Sequence, residues 1–452
     1  MSLEGAIAAH RFGLGARPGE IDAASGNPKG WLAGQLDGAV PQPTSTALQS
    51  GGALAAQASA TLKSVRAAPD PAKQVAIAKG YHEIFMAEME ARFALGFTTA
   101  RPFAERLVWF WSNHFTVSGV NGATLSFIGA YEREAIRPHV LGRFEDLVLA
   151  TARHPAMLIY LNNAKSIGPD SAAGLRTQRG LNENYGRELM ELHTLGVDGG
   201  YTQADVIALA KLLTGWAIDP QGQNGGFRFY PYRHEPGDIV LLGKTYPPTE
   251  EGGIQAIRDL ANHPKTATHI ARKFAGHFIS ENPSAASVEK LAAVFRRTGG
   301  DLKALSLAAV ADPAAWEPAN TRIRQPVEYV TAMARALDWS PGTPQPGTPE
   351  AKPLRRIMQS CRVMGEFPFS APSPKGFEDT SAAWSGPDAI LTRIELAHAV
   401  AQNAPATADP VRLADSALGQ LLRADTRLAI QRAASGKQGL ALAFASPEFQ
   451  RR

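Results

Sequence analysis

A single cysteine, Cys361, in 452 residues excludes an internal disulfide and any zinc cluster built from thiolates, and leaves the redox compartment open. The sequence also has no run of about 18 uncharged apolar residues, so a membrane-spanning helix is not expected. Its start, Met1-Ser-Leu-Glu-Gly-Ala-Ile-Ala-Ala-His-Arg11, carries an acid at Glu4 and lacks the basic, apolar and small-residue succession of an export signal. As written, it reads as cytoplasmic. Lys plus Arg number 46 against 42 Asp plus Glu, a small excess with no basic run and no basic-aromatic cluster, so no nucleic-acid partner is expected. Gly13-Leu-Gly15 lacks the spacing and the preceding strand of a dinucleotide fingerprint. There is no Walker phosphate loop, no Gly-x-Ser-x-Gly elbow and no repeat of 20 to 50 residues.

With 44% hydrophobic residues, the chain can bury a large core, and its length suggests two or three lobes. Apolar residues recur at steps of three and four over 71–95, marking an amphipathic helix. Pro102 suits the first turn of another helix through the aromatic stretch Trp109-Phe-Trp111. Further helices are expected near 126–136, 144–152, 253–262, 264–279, 286–298, 302–311 and 326–337. Asn182 can cap a helix that Gly196 stops, and Thr202 with Asp205 forms a capping box for a second helix ended by Gly215, together an αα-hairpin. Phe227-Arg-Phe and Ile239-Val-Leu favour short strands on either side of the Arg233–Asp238 turn. The fold class is therefore mainly α, a multi-helix globular architecture with a small β-hairpin-like insertion near residues 226–246. The divisions are an N-terminal helical lobe (1–160), a signature helical hairpin with the β element (161–250), and a C-terminal helical lobe (251–452) carrying a Pro/Gly-rich loop at 340–353.

The motif Asn182-Glu-Asn-Tyr-Gly-Arg-Glu-Leu-Met-Glu-Leu-His-Thr-Leu-Gly-Val197, followed by Gly200-Tyr-Thr-Gln-Ala-Asp-Val206 and Leu213-Thr-Gly-Trp216, resembles the signature of the bacterial family known as domain of unknown function 1800. Supporting pieces include Phe110-Trp-Ser-Asn-His-Phe115, His154-Pro-Ala-Met-Leu158, His263-Pro-Lys-Thr-Ala267, Gln325-Pro-Val-Glu328, and Pro374-Lys-Gly-Phe377 with Trp384. They span nearly the whole chain. Leu181, Gly186 and the His234-Glu235 pair depart from the usual pattern. The resemblance implies no particular chemistry; because members often look exported, it implies that an exported location is open as well.

Polar residues inside apolar, aromatic motifs are costly to bury unless paired or ligated. On a helix, Glu188 and Glu191 share a face and can bind a hard cation or divide acid and base roles. Arg187, four residues from both Glu183 and Glu191, offers an ordinary ion-pair network instead. Asn113 and His114 sit near a helix end, as candidate ligands or as members of an aromatic core. His234 lies in a turn that can present it to a cleft. The spacings of His263, His269 and His277 suggest capping and packing, and Cys361 reads as inert rather than activated by Arg355, Arg356 and Arg362. Trp109, Trp111 and Trp216 read as core anchors.

The leading expectation is an enzyme-like pocket between helical lobes. Its catalytic groups are Glu188, Glu191 and His234, and Asn113, His114, Glu188 and Glu191 are candidate ligands of a divalent metal ion. Hydrolytic and oxidative chemistry are both open. The alternative is a non-catalytic binding or assembly protein whose polar motifs are structural, with a small molecule or another protein as partner.

Overall fold

A computed structural model describes the chain except residues 69, 120, 121, 123, 179, 318–321 and 343–350, and the side chains of 351–353. Most of the Pro/Gly-rich connection lies outside the described residues; a helix, Ala351–Val363, begins within the range expected to be loop. Helices dominate, and among the described residues the strands are four segments of three residues, so the class is mainly α. One cluster of buried apolar side chains runs from Ala6 to Phe449.

Helix α1 (Pro71–Thr98) covers the expected segment, but instead of one buried stripe it is largely exposed up to Ile84 and buried on nearly all sides from Phe85 on; α2 (Pro102–His114) follows it directly. Proline at the first turn loses no useful donor, and Phe103, Leu107 and Trp111 are buried along one stripe of α2. The polar residues of α2 are buried too, because they have partners. Arg137 donates to Glu105 at 2.6 Å and to Glu132 at 2.8 Å, Arg92 donates to Glu132 at 2.7 Å, and Ser112 donates to Glu132 at 3.0 Å. Arg92 and Arg137 outweigh the burial that pushes the Glu132 carboxyl up, and hold it down to about 2. This network ties α2 to 125–136, where the single helix expected from sequence is a 3-10 turn, an α turn and a π turn in succession.

In the signature segment, α3 (Asn184–Glu188) passes into a π turn, Leu189–His193, and ends at Gly196 with φ +84°. Asn182 accepts from the amide of Asn184 at 3.0 Å, and the Thr202–Asp205 capping box opens α4 (Gln203–Leu212). Gly186 packs so closely on α4 that an added Cβ would lie 3.0 Å from the Val206 carbonyl oxygen.

The β element consists of two hairpins rather than one. Strands β1 (Trp216–Ile218) and β2 (Phe227–Phe229) pair antiparallel, as do β3 (Ile239–Leu241) and β4 (Lys244–Tyr246). Leu242 (φ 49°) and Gly243 (φ 77°) link β3 to β4. Both residues being left-handed is what a two-residue hairpin turn with matched twist demands. The two runs expected to face each other across Arg233–Asp238 therefore each found a nearer partner.

The helices α5 (Pro264–Phe278) and α6 (Pro326–Ala336) complete the frame of the site. His263 caps α5, its Nδ1 accepting from the Lys265 amide at 3.2 Å, and His154 caps the Pro155–Tyr160 helix in the same way at 3.2 Å. Both His-Pro pieces of the motif are thus helix starts, with proline as the first helical residue.

Candidate functional site

The α2 and α5 helices, the start of α6 and the loop 374–380 enclose a cavity of about 230 Å³. That is below the roughly 300–1,000 Å³ of pockets for drug-sized ligands. The loop is held by Asn113, whose Oδ1 accepts from the Phe377 amide at 2.8 Å while its Nδ2 donates to the Phe377 carbonyl at 3.0 Å. Gly376 makes this approach feasible: it has φ +87°, and a Cβ there would sit 2.5 Å from the Asn113 carbonyl oxygen. On the far side of this clamp a smaller cavity, about 60 Å³, is lined by Arg92, Ser112 and Glu366. Trp109, Asn113, Gln325 and Phe377 border both cavities. Of the three tryptophans expected as anchors, Trp111 and Trp216 are fully buried, whereas Trp109 is a wall of the site.

Charge is concentrated at the base of the larger cavity. Glu328 receives Arg106, in a short contact, and Arg452 at 3.0 Å. Asp379 receives Arg322, also in a short contact, Gln325 at 3.2 Å and His277 Nδ1 at 2.8 Å. A carboxylate only accepts, so the Nδ1 proton of His277 points at Asp379 and a neutral ring keeps its lone pair on Nε2. Burial, reinforced by Arg452 and Arg322 against the pull of Asp379, lowers His277 to about 4. Nε2 has only long contacts to Arg106 and Arg452, both 3.5 Å.

Lys273 lies one turn before His277 on α5, so both project toward the same cavity. Among the described residues its amine has no hydrogen bond and no ion pair. Burial lowers it to about 8. Around it stand rings from three elements: His114 of α2 is centred 6.2 Å from His193 of the π turn and 6.3 Å from His269 of α5. Burial, and then Lys273, lower His193 to about 3 and His269 to about 4, so these rings are neutral at pH 7. His114 donates from Nε2 to the His193 carbonyl at 3.2 Å. The stripe His269, Lys273, His277 has a step of four, so positions 269 and 277 do share one side of α5; the eight-residue spacing between them is two such steps.

The residues singled out from sequence are divided among three places. Asn113 and His114 line the cavity, with the Asn113 amide already spent on Phe377. Glu188 and Glu191 are half-buried at the outer side of the signature helix, where burial and then Glu191 raise the Glu188 carboxyl, and Glu188 contributes to raising Tyr160 to about 12. Arg187 joins Glu183 and Gln203 instead of Glu191. His234 is buried against Phe229, its Nδ1 donating to the Thr214 carbonyl at 2.8 Å, while the neighbouring Glu235 pairs with Lys211 at 2.7 Å. Among the described residues no group of three or more His, Cys, Asp and Glu side chains is placed to hold a metal ion. Cys361 is fully buried and its thiol is pushed well up by burial, so it is inert.

Sequence reasoning passed over Lys273, Asp379 and Arg106. The signals were present as the 269/273/277 stripe and as Glu378-Asp379 just after Pro374-Lys-Gly-Phe377, but nothing local shows that the loop folds onto α5. Among the described residues no helix is long and apolar enough to cross a membrane. No curated protein and no solved structure matches this chain. The profile of the family described as protein of unknown function, DUF1800, matches residues 7–451, and the chain belongs to that family.

Proposed function

We infer that the protein is an enzyme acting on a small molecule in the cavity between α2, α5, α6 and the loop 374–380. The reaction depends on moving a proton through His277. The observation that carries this reading is the 2.8 Å pair between His277 Nδ1 and Asp379 on the cavity wall. A carboxylate that fixes the tautomer of a neutral imidazole leaves the lone pair on Nε2, which here meets only long contacts of 3.5 Å to Arg106 and Arg452 beside the cavity, and a general base requires such a lone pair. Arg106, Arg322 and Arg452 hold both carboxylates ionised, so the pair is rigid and oriented before a ligand enters. Asn113 and His114 belong to this site as its wall and its loop clamp.

The test is turnover of a panel of small esters, lactones, aldehydes and ketones, followed by NMR in deuterated buffer so that proton exchange is seen as well as bond cleavage. Activity that falls by about a hundredfold or more in H277Q, with folding retained, supports the reading. Turnover of nothing in the panel, or turnover unchanged in H277Q and D379N, overturns it in favour of a binding or assembly protein. Elemental analysis of protein purified without nickel or chelator accompanies the panel. Near-stoichiometric metal that is lost in an E188Q/H114A double variant would instead support a divalent-metal centre at Asn113, His114, Glu188 and Glu191.

A further inference from the structure

The amine of Lys273 is the unusual group in this cavity. The acids around it are already engaged: Glu328 by two arginines, Asp379 by Arg322 and His277, Glu378 by Lys375, and Glu281 by the amide and hydroxyl of Ser381. Lys273 has none of them as a partner. Its other neighbours, His114, His193 and His269, are neutral rings rather than counter-ions. A structural lysine at such a place gains a carboxylate or snorkels to water. This one is half-buried on the wall of a partly open cavity, without a carboxylate partner and one helical turn from an oriented imidazole.

We propose that Lys273 is a nucleophile that forms an imine with a small aldehyde or ketone held in the cavity. The unprotonated amine attacks the carbonyl carbon; the C–N bond forms and the carbonyl π pair moves to oxygen. A proton passes from nitrogen to that oxygen, giving the carbinolamine, with His277 Nε2 as the relay. His277 Nε2 then takes the remaining N–H proton and passes it to the hydroxyl, the C–O bond breaks, the hydroxyl leaves as water, and the nitrogen pair freed by that deprotonation closes the C=N bond. One carbonyl compound and one amine give one imine and one water, and no oxidant or reductant is consumed. An amine at about 8 is unprotonated in roughly a tenth of molecules at pH 7, against well under a thousandth for an ordinary lysine. The cavity of about 230 Å³ has room for a carbonyl compound of a few carbon atoms.

This inference rests on the proton-handling role given above to His277, and the experiment separates the two. Intact protein is incubated at pH 7 with pyruvate or with propanal and reduced with cyanoborohydride, and the modified lysines are located by peptide mass spectrometry. Modification of Lys273 at least about ten times faster than the surface lysines, with either probe, is the expected result. Modification of surface lysines ahead of Lys273, or of none, overturns the inference and leaves the role of His277 to the turnover panel. In H277Q, trapping at Lys273 should be slower; trapping at an unchanged rate would retain Lys273 and remove His277 from the reaction. K273R and K273Q, checked for folding by their melting transitions, should lose the fast-labelled peptide while the slow surface pattern stays as in the wild type.

Discussion

Replacing Asn113 tests the architecture on which the site depends. Its amide makes two hydrogen bonds to one backbone unit, at 2.8 and 3.0 Å from the Phe377 N–H and C=O. Asn113→Ala leaves both backbone groups without a partner in a half-buried position. An abandoned buried polar group costs about 1–3 kcal/mol. Because water can reach part of this site, the lower end applies to each group, and the variant should lose about 2 kcal/mol of stability. Asn113→Asp keeps an acceptor for the Phe377 N–H but sets a carboxylate oxygen against the Phe377 carbonyl. It should therefore be destabilised as well, by about 1–2 kcal/mol. The assay is urea denaturation of the three proteins, with hydrogen exchange at the Phe377 amide as the local readout. The clamp role predicts faster exchange there in Asn113→Ala and a merged, wetter cavity. A ligand role for this residue predicts the reverse order, with the aspartate variant the more tolerated and the tighter metal binder. Stability within about 0.5 kcal/mol of wild type, together with unchanged exchange at Phe377, would refute the reasoning.

Arg137→Met should cost about 3–5 kcal/mol, because it leaves the buried Glu105 carboxylate without a counter-ion and Glu132 with only Arg92 and Ser112; a melting temperature within a degree or two of wild type would contradict this. Glu188→Gln should be neutral or stabilising by less than about 1 kcal/mol, since Glu188 has no ion pair among the described residues and is crowded by Glu191; a marked loss of stability would show a pairing that the geometry lacks. Acid should weaken the fold well above the carboxylate range. His10 and His193 are lowered to about 3, and His269 and His277 to about 4. The unfolded chain therefore binds more protons between those values and about 6.5, and stability falls as pH drops through that window. Each of the four contributes a loss of about 2 kcal/mol between pH 7 and 5, while Glu366, raised to about 8 by burial, offsets about 2–3 kcal/mol in the opposite sense. His114 and His154, lowered by burial as well, add to the loss, so urea midpoints at pH 7, 6 and 5 should fall stepwise by several kcal/mol in all; a flat or rising series would refute the neutral histidines.

By itself the sequence determined most of what is local. Helix positions followed from apolar periodicity, and one helix start from Pro102. The hairpin of the signature segment followed from Asn182, Gly196 and the Thr202–Asp205 box, because propensity, capping and left-handed glycine act over a few residues. It also marked Asn113 and His114 as polar groups in an aromatic stretch, and both reach the cavity. What it left open are relations between segments far apart in the chain. Two strand runs each paired with a nearer neighbour, since a strand specifies a face but not its partner. Arg187 chose Glu183 and Gln203 over Glu191 once α3 and α4 packed together. His277 met Asp379 across 102 residues, and only the folding of the 374–380 loop onto Asn113 brought that carboxylate to the imidazole and completed the wall of the cavity that Lys273 lines. Whether a polar side chain is ligand, clamp, cap or base depends on which of its atoms remain free after such contacts form. That is decided by tertiary packing, because desolvation and pairing are properties of the assembled surroundings rather than of residue type.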